Sequence, residues 1–144
     1  MTIGLILLLL SVWQIQAAQR GLQIISIPAG EQPPMTVFIP GGENAGSRPV
    51  VLVAHGLAGS GVVMRGFALT LAHAGYNVVT WDFTGHGSNP RPLESFTRQD
   101  VLLADAEQAL AEAVRRGLVT GEQVAILGHS MGSGVALAYG QKNP

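Results

Sequence analysis

The chain has 144 residues, of which 47% are hydrophobic and 12% charged, and its net charge is −1. This length accommodates at most one globular domain. No run of Lys or Arg provides the basic surface that nucleic acid or an anionic membrane surface requires, so we expect a small uncharged or mildly polar substrate. The chain contains no Cys, which excludes disulfides, thiolate metal sites and a cysteine nucleophile but leaves the cellular compartment open.

The N-terminus is strongly apolar. Residues 1–13 form an almost uninterrupted apolar run, and the small pair Ala17-Ala18 follows it. About 13 apolar residues are fewer than the roughly 20 that span a bilayer, but they match the apolar part of a secretory signal peptide. No Lys or Arg precedes the run, and Ile15 is a poor residue three positions before the cleavage site. We predict that residues 1–18 are a signal peptide or membrane anchor and that the protein is exported (periplasmic or secreted) or membrane-anchored; a buried terminal helix is the alternative.

Beyond Arg20 the sequence changes to short apolar runs separated by Gly and Pro, which predicts an α/β domain over residues 19–144. The runs Leu22–Ile27 and Met35–Ile39 predict two strands. The Gly- and Pro-containing segment 29–34 predicts the turn between them. We therefore expect an antiparallel leading hairpin.

Three mostly apolar segments follow and predict strands buried on both faces, as in a parallel sheet. They are residues 49–54, 77–81 and 124–127. Helices are predicted between and after them. Apolar residues recur at helical spacing in two segments, as Met64, Phe67, Ala68 and Leu71 and as Leu103, Ala106, Leu110 and Ala113.

Helix boundaries are also visible in the sequence. Gly75 is placed to end the first helix in a left-handed conformation. Thr97 and Asp100 have the spacing of a capping box, and the second helix is expected to end at residues 115–117. A further helix begins at Met131. The alternation of strand and helix predicts a mostly parallel sheet with right-handed crossovers.

The pentapeptide Gly128-His129-Ser130-Met131-Gly132 lies between the last predicted strand and the last predicted helix. A Ser at such a sharp turn is held in a strained conformation, and the flanking glycines let strand and helix approach closely. We predict that Ser130 is a catalytic nucleophile. The N-terminus of the following helix favours anions, so Met131 N–H is predicted to be an oxyanion donor.

A second glycine-rich turn, residues 55–59 (His-Gly-Leu-Ala-Gly), closes the strand that ends at Ala54. In an open parallel sheet this position lies at the carboxyl edge, where ligands bind. Such a turn can present a backbone N–H inward, and Leu57 N–H is the candidate for a second oxyanion donor. A simple strand-to-helix turn is the alternative.

The turn at residues 82–88 is interpreted as structural, because Asp82 can cap backbone donors and the glycines permit a tight turn. His86 lies in this turn without a second ligand at metal spacing, so we interpret it as a hydrogen-bonding residue. The same interpretation applies to His73 and His129. No metal and no cofactor are predicted.

Together the three motifs closely resemble those of the α/β-hydrolase superfamily over about residues 35–139. The resemblance implies an α/β-hydrolase fold, mostly parallel with the antiparallel leading hairpin, in which the Val124 strand lies beside the Val50 strand. It also implies an oxyanion hole from the Leu57 and Met131 amides. Ser130 would attack carboxylic esters or related acyl compounds to form an acyl-enzyme. Because residue 130 is Ser and not Asp, the branches with a carboxylate nucleophile, epoxide hydrolases and haloalkane dehalogenases, are not expected. Esterase, lipase-like and peptidase branches remain open.

In this superfamily an Asp or Glu and then a His follow the nucleophile in the chain. Only 14 residues follow Ser130, and none is Asp, Glu or His. We therefore expect a hydrolase domain truncated after the nucleophile elbow, which is the turn that carries Ser130. The chain would then be a fragment of a longer protein, and the fragment would be inactive alone. A native short form completed by a partner chain is the alternative.

Two other functions remain open. One is a non-catalytic α/β-hydrolase-like binding module, and the other is a Ser-dependent acyltransferase or perhydrolase.

The expected binding partner is a small-molecule acyl substrate, and no nucleic acid is expected. Membrane association is expected through residues 1–18. The sequence leaves the oligomeric state open.

Overall fold

Five strands and four α-helices make up the part of the chain described by the computed structural model, residues 2–95 and 98–143. The strands are β1 (Leu22–Ile27), β2 (Met35–Pro40), β3 (Val50–Ala54), β4 (Asn77–Trp81) and β5 (Val124–Gly128). The helices are α1 (Thr2–Ala17), α2 (Arg65–His73), α3 (Gln99–Arg115) and α4 (Met131–Lys142). Short 3₁₀ turns lie at Ala45–Ser47 and Gly61–Met64. Thr97, the predicted cap of α3, lies outside the described residues.

The strands form one sheet in the order β1-β2-β4-β3-β5. β1 and β2 pair as an antiparallel hairpin, with Ile24 opposite Phe38. β2 pairs antiparallel with β4, whereas β3 pairs parallel with both β4 and β5. The leading hairpin is therefore confirmed. The placement of β5 beside β3 is also confirmed, with Val53 opposite Leu127.

Burial follows the position of each strand in the sheet. Every residue of β3 and β4 is buried, as predicted, including the polar Asn77 and Thr80 of β4. β5 is different, because Ala125 is exposed and its other residues are only partly buried. The prediction that β5 is buried on both faces is wrong for the described residues. In this part of the chain β5 pairs only with β3 and forms an edge of the sheet.

Helix α3 covers one face of the sheet, but its buried face differs from the predicted one. The buried apolar residues are Leu102, Ala106, Ala109 and Ala113, while Leu103 and Leu110 are partly buried at the margin. The three alanines have small side chains, which let the helix approach the sheet closely, and the leucines pack along the sides. The prediction therefore identified the helix and the buried Ala106 and Ala113 correctly, whereas the predicted Leu103 and Leu110 lie at the margin of the buried face.

Helix α2 covers the opposite face. Met64, Ala68 and Ala72 are buried there, together with Phe38 and Val53 of the sheet. Phe67 shares the helical spacing but is 53% exposed. The helix ends as predicted, because Gly75 has a φ of 98° and its N–H donates to Ala72 O.

Helix α1 is apolar on all sides and exposed over most of its length. At its end the guanidinium of Arg20 lies 5.8 Å from the centre of the Trp13 ring, and His73 Nε2 of α2 is 2.9 Å from Ala18 O. Among residues 2–95 and 98–143, no helix combines the length and apolar character needed to cross a membrane.

Candidate active site

Ser130 lies at the sharp turn that joins β5 to α4. Its backbone angles are φ 53° and ψ −116°, a region that L-residues rarely occupy. Such a conformation costs about 1–3 kcal/mol and persists only where the surrounding structure enforces it. Ser130 is exposed. The structure therefore presents the serine at the carboxyl edge of the parallel strands, in the strained turn that the motif predicts.

Close packing around two glycines enforces this turn. A Cβ on Gly128 would overlap the carbonyl oxygen of Gly132 in α4. A Cβ on Gly132 would lie 2.6 Å from Ala54 O and 2.7 Å from His55 O, both at the end of β3. The backbone is locked further because His129 N–H donates to Ala54 O at 3.0 Å. The two glycines therefore let α4 begin directly against the end of β3.

The turn at residues 55–59 lies beside Ser130. A Cβ on Gly56 would be 3.1 Å from Ser130 Cβ, so this turn passes too close to Ser130 to carry a side chain at residue 56 without a shift. Ala58 has a φ of 56°, and Gly59 N–H closes the turn on Gly56 O at 3.0 Å. Leu57 is 58% exposed. The structure thus brings this turn to the predicted nucleophile.

The two predicted oxyanion donors have no acceptor among the backbone bonds of the described turns, loops and caps. Met131 is the first residue of α4, where N–H groups have no partner within the helix. Among the described residues, neither Leu57 N–H nor Met131 N–H donates a hydrogen bond in a turn, loop or cap. The catalytic roles of Ser130, Leu57 and Met131 remain predictions.

His55 is fully buried and connects two turns. Its Nδ1 is 2.8 Å from Gly56 O, and its Nε2 accepts a hydrogen bond of 3.1 Å from Phe83 N–H. Since Nε2 accepts, the ring fits as a neutral imidazole whose proton is on Nδ1. Burial lowers the pKa of His55 below its usual value, and the nearby His86 acts in the same direction.

Asp82 fastens three segments together at the end of β4. Its Oδ1 accepts from Gly61 N–H at 2.6 Å, and its Oδ2 accepts from both Ser88 N–H at 2.7 Å and Ser88 Oγ at 2.8 Å. Asn89 Nδ2 donates to Asp82 O at 2.9 Å. The interpretation of this turn as structural is in accord with these contacts.

A second buried carboxylate supports the same turn from helix α3. Asp105 is 1% exposed and accepts from Thr84 N–H at 2.6 Å and from Thr84 Oγ1 at 3.2 Å. Arg91 Nη2 is 3.3 Å from Asp105 Oδ1. Burial raises the pKa of Asp105 even though these donors oppose the shift. His86 lies in the same turn, with Nδ1 3.1 Å from Thr84 O.

Sequence reasoning missed the roles of His55 and Asp105. The sequence places His55 at the start of a glycine-rich turn, and a His directly after a buried strand is a signal for a buried polar bridge. Asp105 lies between Leu102 and Ala109 on a mostly apolar helix face, and a carboxylate in that position is a signal for a buried polar contact. No group of three His, Asp or Glu side chains suited to a metal occurs in residues 2–95 and 98–143.

The sequence is similar to two uncharacterized proteins of Mycobacterium tuberculosis. It is 33% identical to Rv2307c over 102 residues, which is 70% of this chain and 34% of that protein. It is 30% identical to Rv2715 over 100 residues, 69% of this chain and 27% of that protein. The chain thus spans about a quarter to a third of the length of these relatives.

Solved structures show the same fold over a larger share of the chain. The thioesterase domain from the curacin biosynthetic pathway superposes with a TM-score of 0.61 and 28% identity, covering 85% of this chain and 42% of that one. The Pyrococcus furiosus esterase Pf2001 has a TM-score of 0.64 and 21% identity, with coverage of 85% and 48%. An epoxide hydrolase from an endophytic Streptomyces shares the fold at 23% identity and a TM-score of 0.59, with coverage of 85% and 34%.

The family whose sequence profile matches is described as serine aminopeptidase, S33, and the match covers residues 45–144, well over half of the chain. That segment contains both glycine-rich turns and the Ser130 elbow. The chain therefore belongs to the α/β-hydrolase superfamily, in the serine aminopeptidase S33 family, and carries a five-stranded part of its fold with the antiparallel leading hairpin.

Proposed function

We propose that Ser130 is the nucleophile of a serine hydrolase that acts on carboxylic esters or related acyl compounds through an acyl-enzyme intermediate. The observation that carries this proposal is the backbone of Ser130, with φ 53° and ψ −116° at the carboxyl edge of parallel strands. A conformation this costly at an exposed serine is expected where function requires it. The adjoining 55–59 turn and the start of α4 supply backbone donors on either side.

The chemistry follows from this arrangement. Ser130 Oγ adds to the acyl carbonyl carbon while a base takes its proton, and the amides of Leu57 and Met131 stabilise the oxyanion. Collapse of this intermediate breaks the bond to the leaving group, which departs with that proton. Water then adds to the acyl-serine in the same way, releasing the carboxylic acid and restoring Ser130.

A serine nucleophile of this kind also needs a His as its base and an Asp or Glu that orients this His, which together form a catalytic triad. His55 does not fit the role of base, because it is buried and both ring nitrogens are engaged. Residues 131–144 contain no His, Asp or Glu. We propose that both groups come from chain beyond these 144 residues in the full-length protein. The lengths of the relatives support this, since the sequence matches cover only 27% and 34% of them.

The substrate class is proposed from the same chemistry. The thioesterase domain is 28% identical to this chain, and its name indicates hydrolysis of an acyl thioester. Esters and thioesters both present an acyl carbonyl bonded to a group that leaves together with a proton. One nucleophile elbow with its oxyanion hole therefore serves both classes of substrate. We therefore expect activity first on short acyl esters and thioesters.

Activity can be measured with the full-length gene product and short p-nitrophenyl esters. We expect a burst of nitrophenol followed by steady turnover, and Ser130→Ala should lose about 10⁶-fold in kcat. Ser47→Ala changes an exposed loop serine far from the elbow and is the matched control. A full-length protein with no activity on any ester or thioester, and with no Asp and His after Ser130, would instead be a binding module.

Acyl transfer is the second candidate, because it uses the same elbow with another acceptor. Adding an alcohol or peroxide to the reaction distinguishes acyl transfer from hydrolysis. Partition of the acyl group to the added acceptor in preference to water indicates an acyltransferase or perhydrolase, whereas release of free acid indicates a hydrolase.

We further infer that residues 1–18 direct export or anchor the protein to a membrane. Helix α1 is apolar on all sides and exposed, and the first charged residue of the chain is Arg20. A fusion of residues 1–20 to a reporter enzyme active only outside the cytoplasm should be active. Replacing Leu7 and Leu9 by Arg should abolish this signal, and an unchanged signal would contradict the inference.

A further inference from the structure

The carbonyl oxygen of Gly56 is fixed from two directions. His55 Nδ1 lies 2.8 Å from it, and Gly59 N–H donates to it at 3.0 Å. In a planar trans peptide the C=O and the following N–H point in opposite directions. The N–H that follows Gly56 C=O is that of Leu57. Fixing this oxygen therefore also fixes the direction of Leu57 N–H. This N–H points away from the interior of the turn.

His55 is itself held by the neighbouring turn. Phe83 N–H donates to its Nε2 at 3.1 Å, and the Phe83 ring packs edge-on at a centroid distance of 4.8 Å. Phe83 follows Asp82, which is fastened to Gly61 and Ser88. The imidazole thus couples the 55–59 turn to a second turn that is strongly anchored.

We propose that His55 is a positioning residue for catalysis, which in its neutral, Nδ1-protonated form bridges Gly56 C=O and Phe83 N–H and so aims Leu57 N–H at the oxyanion. This rests on the proposed function of Ser130 and goes beyond it by assigning a buried side chain that does not touch substrate. Protonation of Nε2 would place two N–H donors against each other and break the bridge to Phe83.

The groups that face His55 shift its pKa in both directions. The His86 ring lies 5.5 Å away and lowers the pKa of His55. The hydrogen bond to Gly56 O and the carboxylate of Asp82 at the end of β4 raise it. On the other side Gly56 adjoins His129, whose Nδ1 would be 3.0 Å from a Cβ on Gly56. Burial dominates this balance and holds the pKa of His55 below its usual value.

Two substitutions separate the two halves of the bridge. In His55→Asn the amide can still donate near the Nδ1 position but does not reach Phe83 N–H. In His55→Gln the amide oxygen can accept near the Nε2 position, but the donor to Gly56 O is lost. His73→Asn is the matched control, since His73 is a residue at the end of α2 that takes no part in the elbow or either turn.

The experiment measures kcat and KM of the full-length protein and its variants, together with the affinity for a boronic acid that mimics the oxyanion. We expect both His55 variants to lose about 10- to 100-fold in kcat, with KM within about threefold and a parallel loss of boronic acid affinity. His73→Asn should match the wild type. Unchanged kcat in both His55 variants, with only a lower melting temperature, would overturn the proposal.

A second readout does not depend on activity or on a folded variant. Nitrogen-15 NMR of the wild-type protein should show His55 neutral near pH 7, with its proton on Nδ1 and with Phe83 N–H protected from exchange. A proton on Nε2, or a charged ring at that pH, would overturn the proposal. If the wild type shows the expected tautomer but hydrolyses no acyl compound, the bridge holds and the proposed function of Ser130 fails.

Discussion

Gly56 and Ser130 lie close together across the ends of β3 and β5, where a Cβ on Gly56 would be 3.1 Å from Ser130 Cβ. Such a separation is tighter than ordinary van der Waals packing, so a methyl group there would force its neighbour to move by a few tenths of an ångström. The placement of the proposed nucleophile relative to the 55–59 turn therefore depends on the absence of a side chain at residue 56.

Replacing Gly56 by Ala should reduce kcat about 10- to 100-fold while changing stability by no more than about 1–2 kcal/mol, because the shift is small but falls on the reacting groups. The measurement is ester hydrolysis by the full-length protein combined with urea denaturation. Gly66→Ala in α2, where a Cβ would meet nothing within 4 Å, is the control. Equal kcat for Gly56→Ala and the wild type would contradict the proposed geometry.

Gly132→Ala is expected to destabilise the fold by about 3 kcal/mol, because the new Cβ would lie 2.6 Å from Ala54 O and 2.7 Å from His55 O, and backbone atoms cannot move aside as a flexible side chain can. Gly140→Ala in the same helix should instead stabilise by about 0.5–1 kcal/mol, since it is exposed with no neighbour within 4 Å of the Cβ. Urea midpoints measure both changes. Similar midpoints for the two variants would be inconsistent with the packing of α4 on β3.

Asp82→Asn should cost about 1–3 kcal/mol, because an amide NH₂ would face the N–H of Gly61 or the donors of Ser88. Asp100→Asn is the matched control. That carboxylate is exposed and pairs with Arg98 at 2.9 Å on the surface, where solvent screens the pair, so its loss should change stability far less than Asp82→Asn does. Thermal and urea unfolding distinguish the two, and equal effects would show that Asp82 does not fasten the turns.

Glu112 should make stability depend on pH in the acid range. Arg115 and Arg116 each donate to its carboxylate at 2.7 Å and lower the pKa of Glu112 from 4.5 to about 2. A depressed carboxylate pKa stabilises the fold above pH 4.5, and this contribution is lost as the pH falls towards 2. The stability difference between wild type and Glu112→Gln should therefore shrink between these values. A difference that stays constant over this range would contradict the assignment.

Much of the fold is encoded locally and could be predicted. The strands β1 to β5 are apolar runs bounded by Gly, Pro or polar residues, and the Ser130 elbow is a short motif between a strand and a helix. These signals depend on neighbouring residues, so the sequence alone reveals them. The register of β3 and β5 and the exposure of Ala125 arise from pairing between distant segments, which local patterns do not specify.

The missed features are also long-range. Phe67 fits a helical apolar face, yet it is 53% exposed because helix α2 turns the smaller Ala68 and Ala72 towards the sheet. His55 and Asp105 are polar residues whose partners, Phe83 and Thr84, lie 28 and 21 residues away along the chain. A single sequence does not show such pairings, so the support of the 55–59 turn became visible only in the structure.

Labelling of the full-length protein with a fluorophosphonate probe, followed by peptide mapping of the modified residue, tests directly whether Ser130 is the nucleophile. We expect one adduct, on Ser130 Oγ, that is absent in Ser130→Ala and retained in Ser47→Ala. Failure of the probe to label Ser130, or labelling of another serine, would contradict the assignment of Ser130 as the nucleophile.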